Sequence, residues 1–242
     1  MAHISRHELK QDELQSTYEE FEEFVRTRYK EIATAAGIVI VVAGLAVGLK
    51  TYQVRREAEA SEALGVALKT FRAYVGEMPQ GGLMPGLQTF PTTQEKYKKA
   101  QAQFQEVITK FASTPEPKAV AIARYHVGLC QAFLGDSAAA VKTLEEASRT
   151  SDRDIAALAQ FALAGEYLKV GKTAEATRIY QELAAKPTAT VPASTAQLAL
   201  ADVYRSTDPK RAREIYVQLG AQFASNTTIA QAVKDKISTL PQ

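Results

Sequence analysis

Three histidines and one cysteine are the side chains best suited to metal binding or nucleophilic chemistry in this 242-residue sequence. His3 and His7 stand four apart, so a helix would set both imidazoles on one side, where they can share a metal ion. No third ligand lies near them, and they read as a solvated pair close to a terminus. His126 stands alone in an apolar helical pattern and reads as structural. Cys130 has no partner for an intramolecular disulfide and reads as a small buried hydrophobe. Gly81-Gly82 lacks the Lys and the Ser/Thr that a phosphate-binding loop places after its glycines. Lys96, Lys98 and Lys99 around Tyr97 form a short basic run, the solvated face of a helix rather than a nucleic-acid site. Asn226-Thr227-Thr228 fits a glycosylation acceptor, and it equally fits the cap of a last helix, the reading preferred here. No nucleophile, base and electrophile converge, so the expectation is a binding protein and not an enzyme, with no cofactor and no metal.

The elements that would position any site are divided by Ile32 to Leu49. These eighteen residues carry no charge: nine are Ile, Val or Leu, five Ala, three Gly, and one is Thr34. As a helix they rise about 27 Å at 1.5 Å per residue, close to the roughly 30 Å of a bilayer core. Lys30 and Lys50 can extend their ammonium groups outward, and Tyr29 and Tyr52 suit the headgroup level. Nine large aliphatics favour insertion by about 3 to 5 kcal/mol with no charge opposing them. No other stretch is apolar enough to enclose such a helix as a core, so the segment predicts a membrane span. A cleaved signal peptide fits less well, because thirty-one residues precede the run and Ala58-Glu59-Ala60 lies well past it. Gly44 and Gly48 form a small-xxx-small pair that would let a second helix approach, although glycine is common in membrane helices generally.

Residues 1–31 hold five basic and eight acidic side chains, a net of −3, and the remainder holds 24 and 19, a net of +5. Neither value argues for nucleic acid. The tail reads as a helix capped by Ser5 with Glu8, and Leu14, Tyr18, Phe21, Val25 and Tyr29 form one stripe opposite a Glu-rich face. It can dock a partner or stay solvated. Arg26, Arg28 and Lys30 before the span, and Lys50, Arg55, Arg56 and Lys69 after it, leave the orientation undecided. The predicted organisation is an acidic tail over 1–31, a transmembrane helix over 32–50 and a helix leaving the membrane over 51–78. A loop over 79–93, marked by Pro85-Gly86 and Pro91, separates these from a repeat domain over 94–242.

That repeat is read from its spacing. Ala140, Ala176 and Ala212 are 36 apart, as are Leu144, Tyr180 and Tyr216. Small residues at Gly128, Ala164 and Ala201 let the first helix of each hairpin touch the second. The large residue four after each alanine fills the groove between them. Gly135 and Gly171 sit where a turn can require φ > 0. Tyr167 and Tyr204 recur in register, and Pro209 starts a helix after a shorter turn in the third unit.

These residues resemble the tetratricopeptide repeat (TPR) family, with departures. No Trp opens the first helices, where Arg124, Gln160 and Gln197 stand. Gln131 replaces a Tyr, Leu183 and Leu219 replace small residues, and the period is 36. The resemblance implies an all-α solenoid of three degenerate hairpins over 119–222, after an earlier helical pair and before a polar capping helix from Thr227 to Leu240. By phase, its concave face carries Ile122, Tyr125, Leu129, Phe161, Leu198, Asp202 and Arg205, and it would bind protein segments. Tyr125 and Phe161 equally suit the core between repeats. The Lys and Asn of the family's carboxylate clamp are missing, which argues against capture of acidic C-termini. The whole layout is similar to the YfgM-like family of bacterial inner-membrane proteins, ancillary to the Sec translocon. That resemblance implies a cytoplasmic N-terminus, a periplasmic repeat domain, translocon or secretory-client partners, and help in translocation or periplasmic folding. The other expectation is a scaffold, with possible self-association, for a cell-division or outer-membrane complex of the inner membrane.

Overall fold

The computed structural model describes residues 6–76, 88–113, 115–225 and 227–240, with side chains from position 26 onward except 32 and 227–229. The chain divides into two compact units, 1–55 and 56–242.

The first unit is helical. Helix α1 (Arg6–Phe71) has one non-helical residue, Arg28, at φ −113° and ψ 18°. Within the apolar run, Ile38 to Val42 expose 58 to 71% of their surface, and Leu45, Val47 and Leu49 are similarly open. Thr34 donates to the Lys30 carbonyl and Thr51 to that of Val47, so neither hydroxyl is left without a partner on an apolar helix. The side chains of Leu14, Tyr18, Phe21 and Val25, together with His3, His7 and the Ser5 cap, lie outside the described residues.

The second unit begins inside α1 and is built of helices that pack in chain order: α2 (Thr93–Phe111), α3 (Lys118–Phe133), α4 (Ser137–Ala147), α5 (Arg153–Lys169), α6 (Thr173–Ala185), α7 (Ala193–Thr207), α8 (Pro209–Gln222) and α9 (Thr227–Ser238). Two core clusters run along it. One joins Ala60, Leu64 and Ala67 of α1 to Phe104 of α2 and Val120, Val127 and Cys130 of α3. The other runs from Leu144 to Leu240.

The helix expected over 51–78 stops earlier, at Phe71. The return segment explains this. Thr70 donates its hydroxyl to Gln88, Tyr74 N–H donates to the Gln88 carbonyl, and Gly76, at φ +98°, donates to Phe90. These bonds form a short parallel pair, β1 (Tyr74–Val75) with β2 (Thr89–Phe90), inside and beside the stretch expected to be a plain loop. Gly81-Gly82 and Pro85-Gly86 lie outside the described residues.

Helix starts follow ordinary capping. Thr92 caps α2, Asp136 caps α4, Asp152 caps α5 and Asp208 caps α8, each side chain accepting a first-turn N–H. Helix α3 opens on Pro117, whose ring carries no hydrogen-bond acceptor to cap it. Glu57 of α1 supplies the cap instead, accepting from the Lys118 and Ala119 amides at 3.0 and 3.3 Å. One residue earlier, Arg56 donates to the last-turn carbonyl of Lys110 in α2 at 3.4 Å. A cation thus meets a helix C-terminus and an anion an N-terminus, each matching the helix dipole it faces.

Candidate functional site

The hairpins that carry the candidate face close through small residues. A Cβ on Gly128 would lie 2.7 Å from Leu144 Cγ and Cδ2, so α3 and α4 touch where only hydrogen fits. Ala140, Leu144, Ala164, Ala176, Tyr180, Ala201, Tyr204, Ala212 and Tyr216 are all buried. Gly135 and Gly171 hold the α3–α4 and α5–α6 turns at φ +85° and +79°, a conformation costly for any residue with a Cβ. Neighbouring hairpins are stitched by a bond made twice in register. Tyr167 OH donates to Glu145 at 2.6 Å, and Gln181, 36 residues on from Glu145, donates to Tyr204 OH at 3.0 Å. At the corresponding place in the first hairpin Gln131 stands instead, and its Oε1 is buried without a partner among the described residues.

The seven residues assigned to the binding face divide into two groups. Ile122, Tyr125, Leu129, Phe161 and Leu198 are half-buried on α3, α5 and α7. Tyr125, Phe161 and Leu198 rest against the second cluster and Ile122 against the first. The Phe161 ring meets that of Tyr180 edge-on at 5.3 Å. Ile122, Tyr125, Phe161 and Leu198 keep part of their surface open and use the rest as core, and Leu129 is partly open.

Asp202 and Arg205 are already engaged within the chain. Asp202 accepts from Lys236 Nζ at 2.6 and 2.8 Å and from Tyr216 OH at 2.5 Å, and Arg205 donates to Thr239 at 3.3 Å. They tie the C-terminal segment to α7, so at the third hairpin the polar part of the face holds the cap. Arg124, where the family's Trp would stand, makes a bidentate pair with Glu116 at 2.6 and 3.1 Å. A Cβ added at Gly44 or Gly48 of the first unit would meet nothing within 4 Å.

Among the described residues the titratable groups do not form a reactive centre. Burial pushes the Cys130 thiol up to about 12, with a small opposing pull from Lys96, so it is neutral at neutral pH. Burial also lowers His126, helped by the Arg72 charge and opposed by its Nδ1 contact with the Ile122 carbonyl. The His126 ring lies among Phe71, Phe104 and Tyr125, with centroids 4.9 to 5.2 Å away. Among the described residues no group of three His, Cys, Asp or Glu side chains could hold a metal.

The His126 cage predicts an acid limb in stability. The folded state prefers neutral imidazole, so its contribution is fully present above about pH 6.5 and is lost as acid protonates the unfolded chain first. His126→Phe should therefore lose less stability than wild type between pH 7.5 and 5.0, read as the shift in urea midpoint. Equal shifts would remove His126 as the cause.

Glu166 is a buried carboxylate that helical phase alone does not single out. It occupies the position filled by Cys130 one hairpin earlier and by Val203 one later, and all three are buried. Its Oε1 accepts from Lys169 at 2.6 Å while Oε2 is buried without a partner among the described residues. Register between the hairpins is the signal that marks it, a carboxylate in an apolar column.

No protein-family model matches the chain, and no curated protein matches it. Solved structures do. Two crystal structures of a putative kinesin light chain of Podosopora anserina with nearly identical TPR-like repeats align at 15% identity and a TM-score of 0.56, covering 75% of this chain and 84% of theirs. The protein therefore has the TPR-like helical repeat fold.

Proposed function

We propose that this protein is a single-span membrane protein of the bacterial envelope whose periplasmic repeat domain holds segments of other polypeptides, assisting translocation or folding of exported chains. One observation carries the reading: the apolar stretch of α1 exposes its described large aliphatic side chains to more than half, while residues 56–242 form a separate unit with its own core. Such a surface in water would be a large aggregation liability, and in lipid it is satisfied. The half-buried Ile122, Tyr125, Leu129 and Phe161 supply the apolar contact that an unfolded segment needs, and the repeat architecture supports polypeptide as its partner.

The test has two parts. Single cysteines replacing Glu20 and Lys234 in a Cys130→Ala background should label with an impermeant reagent at position 234 from outside the inner membrane, and at position 20 only after lysis. Labelling of position 20 from outside would reverse the topology. A photocrosslinker at Leu129 should then capture exported chains or translocon subunits in cells, and its failure to capture either would remove the translocation role.

The second reading is a scaffold that assembles a cell-division or outer-membrane complex through the acidic tail and the Gly44/Gly48 face. It is favoured by the open space around both glycines. Deleting residues 1–31 separates the two, because a scaffold loses its assembly whereas a client-binding domain still suppresses aggregation.

A further inference from the structure

The C-terminal end of the repeat domain encloses a pit of about 290 Å³ between α7, α8 and α9. Leu198, Leu219, Phe223 and Val233 form most of its wall, and Ser194, Thr195 and Ala232 also border it. Lys236 also lines it, but its ammonium is held by both oxygens of Asp202, whose Oδ1 also accepts from Tyr216. Lys236, the one charged group lining the pit among the described residues, is thus neutralised from within. An acidic occupant would have to draw Lys236 away from Asp202, and a basic one would meet the Lys236 cation with its Asp202 partner already engaged. Charge therefore selects an uncharged guest.

Size narrows the choice. Pockets for drug-sized molecules run from about 300 to 1,000 Å³. This pit falls just below that range; since a cavity of about 150 Å³ holds benzene, one large side chain enters it with room to spare at the mouth. Leu198 belongs to the face proposed above to bind polypeptide, so the pit opens beside that face.

We propose that the α7–α8–α9 pit is a specificity pocket that receives one large uncharged apolar side chain, aromatic or aliphatic, of an extended polypeptide bound on the α3–α5–α7 face. This rests on the polypeptide-binding reading of that face.

The experiment uses the full chain in nanodiscs and fluorescent nine-residue peptides of Gly, Ser and Thr with one central Phe, Leu, Ala, Asp or Lys. Burying a Phe or Leu side chain corresponds to about tenfold or more in affinity. Phe and Leu peptides should therefore bind at least tenfold tighter than Ala, with Asp and Lys no tighter than Ala. Ala232 lines the pit from an exposed position, so Ala232→Phe should fill it, leave the thermal unfolding midpoint unchanged and abolish the preference. Tyr125→Ala with Phe161→Ala should weaken all peptides alike. Phe preference that survives Ala232→Phe overturns the pit but keeps the face. No binding of any peptide overturns the polypeptide reading itself. Tight binding of a fatty acid that Ala232→Phe blocks, without peptide binding, makes the pit a lipid site and overturns the proposal.

Discussion

Leu144→Ala should destabilise the repeat domain by about 2 to 5 kcal/mol, the range for emptying a fully buried aliphatic site. The more telling result comes from pairing it with Gly128→Ala. Alone, Gly128→Ala gains up to about 1 kcal/mol of helix propensity. It also pushes a methyl to 2.7 Å from Leu144 Cγ and Cδ2, and a wholly buried Leu144 has nowhere to retreat. Overpacking of this kind costs about 1 to 3 kcal/mol, so the expected sign is a net loss. In the Leu144→Ala background the obstructing atoms are gone. Gly128→Ala then keeps its propensity gain and fills part of the cavity, so the same substitution becomes stabilising. The coupling should be about 1 to 3 kcal/mol and of opposite sign to the two single losses. Cys130 is a convenient reporter: it is the one cysteine of the chain, wholly buried, two residues from Gly128. Pulse labelling of its thiol across a urea series gives the opening free energy of the α3 region in all four proteins. Additivity within about 0.5 kcal/mol would mean that the two helices are not locked at this point.

The small-to-large pairing of Gly128 with Leu144, of Ala164 with Tyr180 and of Ala201 with Tyr216 is legible in the sequence because it is periodic. Each pair lies 15 or 16 residues apart, within one hairpin, and local spacing is what a sequence displays directly. The turns at Gly135 and Gly171 are legible for a different reason, since glycine after a helix has a narrow set of uses. What escapes is non-local or non-periodic. Glu57 meets the start of α3 across 61 residues, and no pattern in either segment announces the other. The early end of α1 depends on Gln88 returning to Thr70. Phase alone makes Asp202 a groove residue, whereas its engagement by Lys236 depends on where α9 lies. Phase places a side chain on a face, but whether another element covers that face depends on the rest of the chain. Tyr125 and Phe161 show the limit of the dichotomy itself. Suited to groove or to core, they are half-buried and serve as both.

Phe104→Ala should cost about 3 to 5 kcal/mol, the usual loss for a buried aromatic, and the damage should stay local. Phe104 is completely buried, its ring stacked on His126 at 4.9 Å and met edge-on by Phe71 at 6.1 Å. It therefore joins the end of α1, α2 and α3 at one point. The buried members of its cluster end in α3, whereas those of the second cluster begin at Leu144, with only the half-buried Tyr125 of α3 resting against it among the described residues. In a repeat array each unit contacts chiefly its neighbours, so stability is close to a sum of unit and interface contributions. Hydrogen exchange of the Phe104→Ala protein should accordingly show lost protection in α2, α3 and the 56–71 part of α1, while α6, α7 and α8 exchange as in wild type. Phe104→Leu keeps most of the volume but loses the ring contacts, and should fall between the two. A uniform loss of protection reaching α8 would contradict this. It would mean that both clusters melt as one cooperative body, with the 56–71 part of α1 coupled to α8 as strongly as to the α2 and α3 helices it touches.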